Sequence, residues 1–211
     1  LISKELCDPA LAVITAAGGP AAEKILAESL KNIDLPCAAP VMNTLALMNS
    51  EIAVNEYIIW AASGDKNVKA SAFNALASSG SPLAYPVLSD AAKEASYRWE
   101  QTGATASLLN YANNIGRKGD IKTSDKICKL IISKCNDDLT VQYKTDALNT
   151  YVTFHGIGAM SSLFKAAANN NDKYRNAAIM MSLDIPGKEV VQKWIGYFPK
   201  ATPAAKAGII S

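Results

Sequence analysis

Histidine is almost missing from this chain: His155 is the only one in 211 residues. Any nucleophile–histidine pair or histidine-based metal site would have to use it. It sits in Phe154-His155-Gly156, where a helix is expected to end, and a histidine suits the negative end of a helix dipole. Cysteine is scarce too. Cys7, Cys37, Cys128 and Cys135 form no CxxC pair, so no zinc site is expected. Cys128 and Cys135 lie seven apart on one expected helix, a rise of roughly 10 Å, which is beyond disulfide reach. A Cys7–Cys37 bridge is conceivable but unforced, and buried free thiols are the default reading. No stretch approaches the roughly 18 apolar residues of a membrane helix, so no membrane insertion is expected. No signal peptide is visible. Phosphate-binding GxxxxGK, dinucleotide-binding GxGxxG and HExxH motifs are all lacking. Runs of alternating apolar and polar residues are short, so almost no β structure is expected. Aromatics make up 7% of the chain and the formal net charge is +2, too small to imply a polyanionic partner by itself.

What the chain does have is alanine, an apolar fraction of 49%, and a repeat of 31 residues. At that interval Ala10, Val41 and Ala72 fall in one register. So do Leu11, Met42 and Phe73, and Ile14, Leu45 and Leu76. A second stretch aligns Ala22, Ala53 and Ala84, then Leu26, Tyr57 and Leu88. Self-similarity at this period marks stacked units, each too small to bury its own apolar face.

Proline and glycine punctuate the units. Asp8-Pro9, Gly19-Pro20, Leu35-Pro36, Ser81-Pro82 and Thr202-Pro203 each put proline near a first helical position, where its missing N–H costs nothing. Asp8, Ser81 and Thr202 can serve as N-caps. The spacing predicts helix pairs at about 8–17 and 20–31, 37–48 and 51–63, 67–79 and 82–95, 104–116 and 122–135, 139–154 and 157–169, and 172–183 and 187–197, with 203–211 opening another. The expected architecture is all-α: one α-solenoid domain over 1–211 built of about six antiparallel helix pairs. The start at Leu1 without Met, and the stop inside an apparent helix, suggest a piece of a longer protein.

At residues 65–92 the chain resembles a HEAT-type repeat. The carrying residues are Asp65, Val68-Lys69, Ala72 and Leu76 in a first helix, then Ala84-Tyr-Pro86-Val-Leu88 in a second. Echoes recur at Asp138–Ala147, at Asp172-Lys-Tyr174-Arg175-Asn-Ala-Ala178, and faintly at Ala205-Lys206. The resemblance implies a HEAT/armadillo-like superhelix whose repeat residues build the stack and are no ligand site. Bacterial proteins with Ala-rich HEAT-like regions are sometimes fused to a sugar-hydrolase domain of the 3-keto-disaccharide type. A periplasmic or cell-envelope location is suggested by the resemblance only, and the compartment stays open.

No catalytic, cofactor-binding or metal residue is assigned, and the chain is not expected to be an enzyme. Asp137-Asp138 precedes a helix and reads as a cap. Nothing in the spacing sets Glu94 and Glu100 across a cleft. Arg117, Lys118, Lys122, Lys126, Lys129 and Lys134 form a basic stretch, but Asp120 and Asp125 dilute it, and the sequence pI of about 8.3 is below the usual nucleic-acid footprint. Charge is uneven: residues 1–100 hold 7 Lys/Arg against 11 Asp/Glu and residues 101–211 hold 14 against 8, so the halves are −4 and +6. That reads as solvated helix surface, or as ends meeting different partners. The candidate partner-binding residues are aromatic: Tyr57 and Trp60 in the second unit, Trp99 after the third, Trp194 and Tyr197 in the sixth. Aromatics with a polar tip suit binding hot spots; packing between units is the competing reading.

The leading functional expectation is therefore a non-catalytic protein-binding or scaffolding module with no cofactor. An accessory domain of a larger bacterial enzyme is the alternative, and a DNA-binding helical-repeat protein a third.

Overall fold

Proline at the first turn, small capping side chains and left-handed glycines set most helix boundaries. A computed structural model of the chain describes residues 4–210, with side chains from Cys7 onward. Its helices are α1 (Lys4–Ala17), α2 (Gly19–Ser29), α3 (Leu35–Leu47), α4 (Val54–Trp60), α5 (Lys66–Ser79), α6 (Ala84–Glu94), α7 (Ala104–Arg117), α8 (Ile121–Lys134), α9 (Val141–His155), α10 (Met160–Ala167), α11 (Asp172–Met181), α12 (Glu189–Tyr197) and α13 (Pro203–Ile210). Short 3-10 turns cover Gly156–Ala159, Ser182–Asp184 and Phe198–Lys200. No strand occurs among the described residues.

Pro20 and Pro36 start α2 and α3. The Asp65 carboxylate caps α5, accepting from the backbone N–H of Asn67 at 2.8 Å and Val68 at 3.0 Å. Asn171 caps α11 by accepting from Tyr174 N–H at 3.1 Å, and Thr202 Oγ1 accepts from Ala205 N–H at 3.2 Å at the start of α13. Asp137 accepts from Thr140 N–H at 2.9 Å ahead of α9, the capping role expected for the Asp137-Asp138 pair. Several starts differ from expectation. α6 begins at Ala84 with Leu83, not Ser81, at its N-cap, so Pro82 lies outside it. α4 and α10 begin at Val54 and Met160, each three residues later than the spacing predicts. α1 runs through Asp8-Pro9 and begins at Lys4, so Asp8 is not an N-cap and Pro9 lies within the helix.

The described chain falls into two compact units, Leu1–Asp120 and Ile121–Ser211. In the first, α3 packs against α1 and α5, α5 against α7, and α4 against α5 and α6. The 31-residue register is largely the register of burial, although Ala10, Leu11 and Ile14 of α1 are only half-buried. Ala22, Ala53 and Ala84 are buried, and Leu26, Tyr57 and Leu88 have no exposed surface. Val41 and Ala72 are buried, as are Met42 and Phe73, and Leu45 and Leu76. Small residues allow helices to approach, and large ones one turn on fill the space between them. Cys7 and Cys37 are both buried and are not joined by a disulfide. Burial first, then the adjacent Cys37 thiol, pushes the Cys7 thiol up to about 12. At the end of α5 Gly80 takes φ +58°, and a Cβ there would meet the Lys118 side chain at 3.0 Å. That lysine bonds Glu51 and the Ser79 carbonyl, tying α7's end to the two preceding turns.

In the second unit α9 packs against α8 and α11, α10 against α11 and α12, and α11 against α13. Its core gathers Leu148, Val152, Leu163, Tyr174, Ala178, Val190 and Trp194. Cys128 and Cys135 are buried and are not joined by a disulfide, and burial pushes the Cys128 thiol up to about 12.

Leu76→Ala removes a fully buried side chain at a repeat position and is expected to cost about 2–5 kcal/mol. Leu83→Ala, at the 58% exposed residue just before α6, is expected to cost less than about 1 kcal/mol. Urea unfolding of both variants checks the contrast.

Candidate functional site

The five aromatic candidates divide between the two units. Tyr57, Trp60 and Trp99 lie in the first, Trp194 and Tyr197 in the second. Tyr57 is fully buried in the leucine register of the repeat, so it is a core residue and presents nothing to a partner. Trp60 is half-buried and donates from Nε1 to the Leu30 carbonyl at 3.3 Å, linking α4 to the end of α2. Trp99 is 77% exposed, in a loop that follows Ser96 and Tyr97, whose φ values of +53° and +57° are left-handed.

Trp194 and Tyr197 are brought together, with Phe164 between them. Phe164 and Tyr197 stack with ring centroids 4.3 Å apart and planes 4° apart, and Trp194 meets both rings edge-on. Trp194 Nε1 donates to Ser182 Oγ at 2.9 Å, and Tyr197 donates to the Phe164 carbonyl at 3.2 Å. Edge-on and offset aromatic pairs gain beyond their buried area, so this cluster fixes α12 against α10. Trp194 itself is buried. Its outer edge forms the wall of an apolar groove of about 610 Å³, framed by α11, α12, α13 and the two 3-10 turns between them. Leu183, Val191, Ile195 and Ile210 stand around it and are 61–75% exposed.

Sequence reasoning found the wall of this groove and missed its rim. The missing signal was a second apolar stripe on one helix. In α12, Val190 and Trp194 face the core while Val191, Ile195 and Phe198 repeat at helical spacing one residue further round. A helix facing solvent ordinarily keeps one apolar stripe.

The carboxylates and the histidine have structural partners. Glu94 and Glu100 do line one cleft of about 200 Å³, beside Lys69. Glu100, however, accepts from Thr102 N–H at 2.6 Å, Thr102 Oγ1 at 2.9 Å and Ala104 N–H at 2.7 Å, and so anchors the start of α7. Burial alone would raise its carboxyl pKa. The backbone donors of Ala104 and Thr102 outweigh that and hold it below the ordinary value. His155 ends α9 as expected; its ring stacks on Tyr151 at 4.3 Å and Nε2 lies 2.8 Å from Asp125 Oδ1. Asp125 also pairs with Lys129 at 3.2 Å, so part of the basic stretch on α8 is neutralised. Among the described residues no cluster of His, Cys, Asp or Glu could hold a metal ion, and no helix is long and apolar enough to cross a membrane.

No protein-family model matches the chain, and no curated protein matches it.

Two predictions follow from this geometry. Glu100 has a lowered folded pKa, so its contribution is present above the ordinary value of 4.5 and is lost as pH falls through the folded value. Glu100→Gln is expected to cost about 1 kcal/mol or less at pH 7, since the group is partly exposed and screened, and the gap to wild type is expected to close below about pH 4. Urea midpoints from pH 7 to pH 3 check it. Ile195→Asp is expected to leave stability within about 1 kcal/mol and to reduce the fluorescence of the apolar dye ANS on native protein by at least about half. Trp99→Ala is expected to leave the dye signal unchanged.

Proposed function

We propose that the chain is a non-catalytic, HEAT-like stack of antiparallel helix pairs that holds a partner protein, and that the groove beside Trp194 is where the partner docks. The observation that carries this is the groove itself: an apolar cleft with Leu183, Val191, Ile195 and Ile210 open to solvent around a rigid aromatic wall. Large exposed apolar patches mark interaction sites, and helix-lined grooves of this kind accept the apolar face of an amphipathic helix.

The occupant we assign is an amphipathic helix of the partner with acidic residues flanking its apolar face. Charge complementarity argues for it. Lys206 holds its ammonium 5.6 Å from the ring of Phe198, a groove residue. Lys200 follows Pro199 at the same end, and Lys188 lies one turn before Val191. Over 182–210 four lysines (188, 193, 200 and 206) face two acids, Asp184 and Glu189, for a net +2. A net positive segment around the groove selects against a basic helix and speeds capture of an acidic one.

A photo-cross-linking residue placed at position 195 in cells tests this. The expected product is a heterologous protein joined through a segment with apolar residues at helical spacing and flanking acids. A synthetic peptide of that segment should bind wild type at least ten-fold more tightly than Ile195→Asp, with Trp99→Ala unchanged. Cross-links only between copies of this chain, or a peptide insensitive to Ile195→Asp, would overturn the assignment.

A further inference from the structure

A second cleft in the same unit has the opposite chemistry, and its case is independent of the apolar groove. It measures about 290 Å³ and is lined by Lys129, Lys144 and Lys165 together with Ser133, Ser162 and Asn169. Its lining contains three cations and no carboxylate. Lys129 and Lys165 are exposed, and Lys129 has Asp125 as a partner at 3.2 Å.

Lys144 is the unusual member. It is nine-tenths buried, with 9% of its surface exposed. Its ammonium donates to Asn136 Oδ1 at 2.8 Å and sits 4.9 Å from the ring of Tyr174. Neither is a counter-ion. Among the described residues no carboxylate lies within 4.0 Å of it. The two neighbouring acids of weak character stay neutral: burial pushes the Tyr174 phenol up to about 12 and also raises the Cys135 thiol. Burial pulls the Lys144 ammonium below its ordinary value. A buried ammonium held by neutral groups alone is costly, and this one stands on the wall of a cleft lined by two further lysines. A smaller recess of about 70 Å³ shares Lys144, Asn169 and Tyr174 with this cleft, and Asn136 and Asp137 line its other side.

We propose that this cleft binds a small phosphate monoester, with Lys144 as its buried anchor. Lysine binds phosphate as a point charge, and a phosphate monoester brings nearly two negative charges and three acceptor oxygens to the three cations, where a carboxylate brings one charge. Ser162 and Asn169 supply neutral donors for the remaining phosphate oxygens. Ile132 and Leu148 on the same lining offer an apolar bed for the body of the ester.

Titration calorimetry of the whole chain with phenyl phosphate, in about 0.15 M NaCl to screen loose surface charge, tests the site. Saturable one-to-one binding is expected. Lys144→Met and Lys165→Ala should each weaken it at least ten-fold, and benzoate should bind at least ten-fold more weakly than phenyl phosphate. Phenyl phosphate should shift the amide NMR signals of Ser162 and Asn169. If Lys144→Met does not fold, Lys165→Ala and Ser162→Ala decide. Non-saturating heats, equal affinity for benzoate, or binding unaffected by the variants would overturn the proposal. Binding to phosphatidic acid vesicles without binding to phenyl phosphate would overturn it as well, since that places the affinity on a membrane surface.

Discussion

Two short helices cannot cover their own apolar face, and everything in the first unit follows from how that face is covered. The device is a small residue and a large one four positions apart in the second helix of each pair, repeated every 31 residues. Ala22 with Leu26, Ala53 with Tyr57, and Ala84 with Leu88 are all buried. The alanine lets neighbouring helices close in, and the larger residue fills the space one turn on. The same constraint explains Tyr57. A tyrosine in a leucine register is pulled inward, and its ring contributes burial at the cost of withdrawing the phenol from water, which is why that phenol titrates well above its ordinary range.

Much of this was legible in the sequence because its causes are local. Proline and glycine act within one turn, so the boundaries of α2, α3, α5 and α7 fall within two residues of those read from spacing alone. One exception, α1, shows the limit of that rule. Asp8-Pro9 is a good start signal, but proline is tolerated there with the helix beginning at Lys4, so a valid signal was overtaken by an earlier start. The candidate site was less legible. An aromatic on a second helix can face either the core or solvent, and sequence spacing gives the periodicity without the direction. Tyr57 could have been assigned from its register mates, Leu26 and Leu88. Trp60, whose mates are Ser29 and Ala91, could not, because its position is set by one long-range hydrogen bond to the Leu30 carbonyl. Nor could Lys144. On paper it is one lysine in a charged helix, and its burial depends on Tyr174, thirty positions away.

The second unit carries two openings of contrasting character on helices built to the same pattern. The apolar groove arises where α12 has more apolar residues than one helix face can bury. The basic cleft arises where three lysines converge on a lining that holds no carboxylate. On the proposed reading, the chemistry of this unit is written on such surfaces, by which residues the helix faces leave uncovered. The carboxylates and the histidine fit this view. Glu100 is taken up by the start of α7, Asp137 by the start of α9, and His155 by Asp125.

The exposed side chains of the groove carry the argument further than its volume does. Val191, Ile195, Leu183 and Ile210 each leave most of their surface in water, whereas burying such a side chain fully is worth roughly 1.5–3 kcal/mol. Polar residues at these four positions would leave the core intact, since the buried face of α12 is made by Val190 and Trp194. Folding stability therefore gives no reason for them, and solubility gives a reason against them. An apolar rim that the fold does not use is explained by whatever covers it, and the aromatic cluster behind it explains why the groove keeps its shape while uncovered. Phe164, Trp194 and Tyr197 lock one another and two backbone or hydroxyl acceptors, so the wall stands before a partner arrives and little ordering remains to be done on binding.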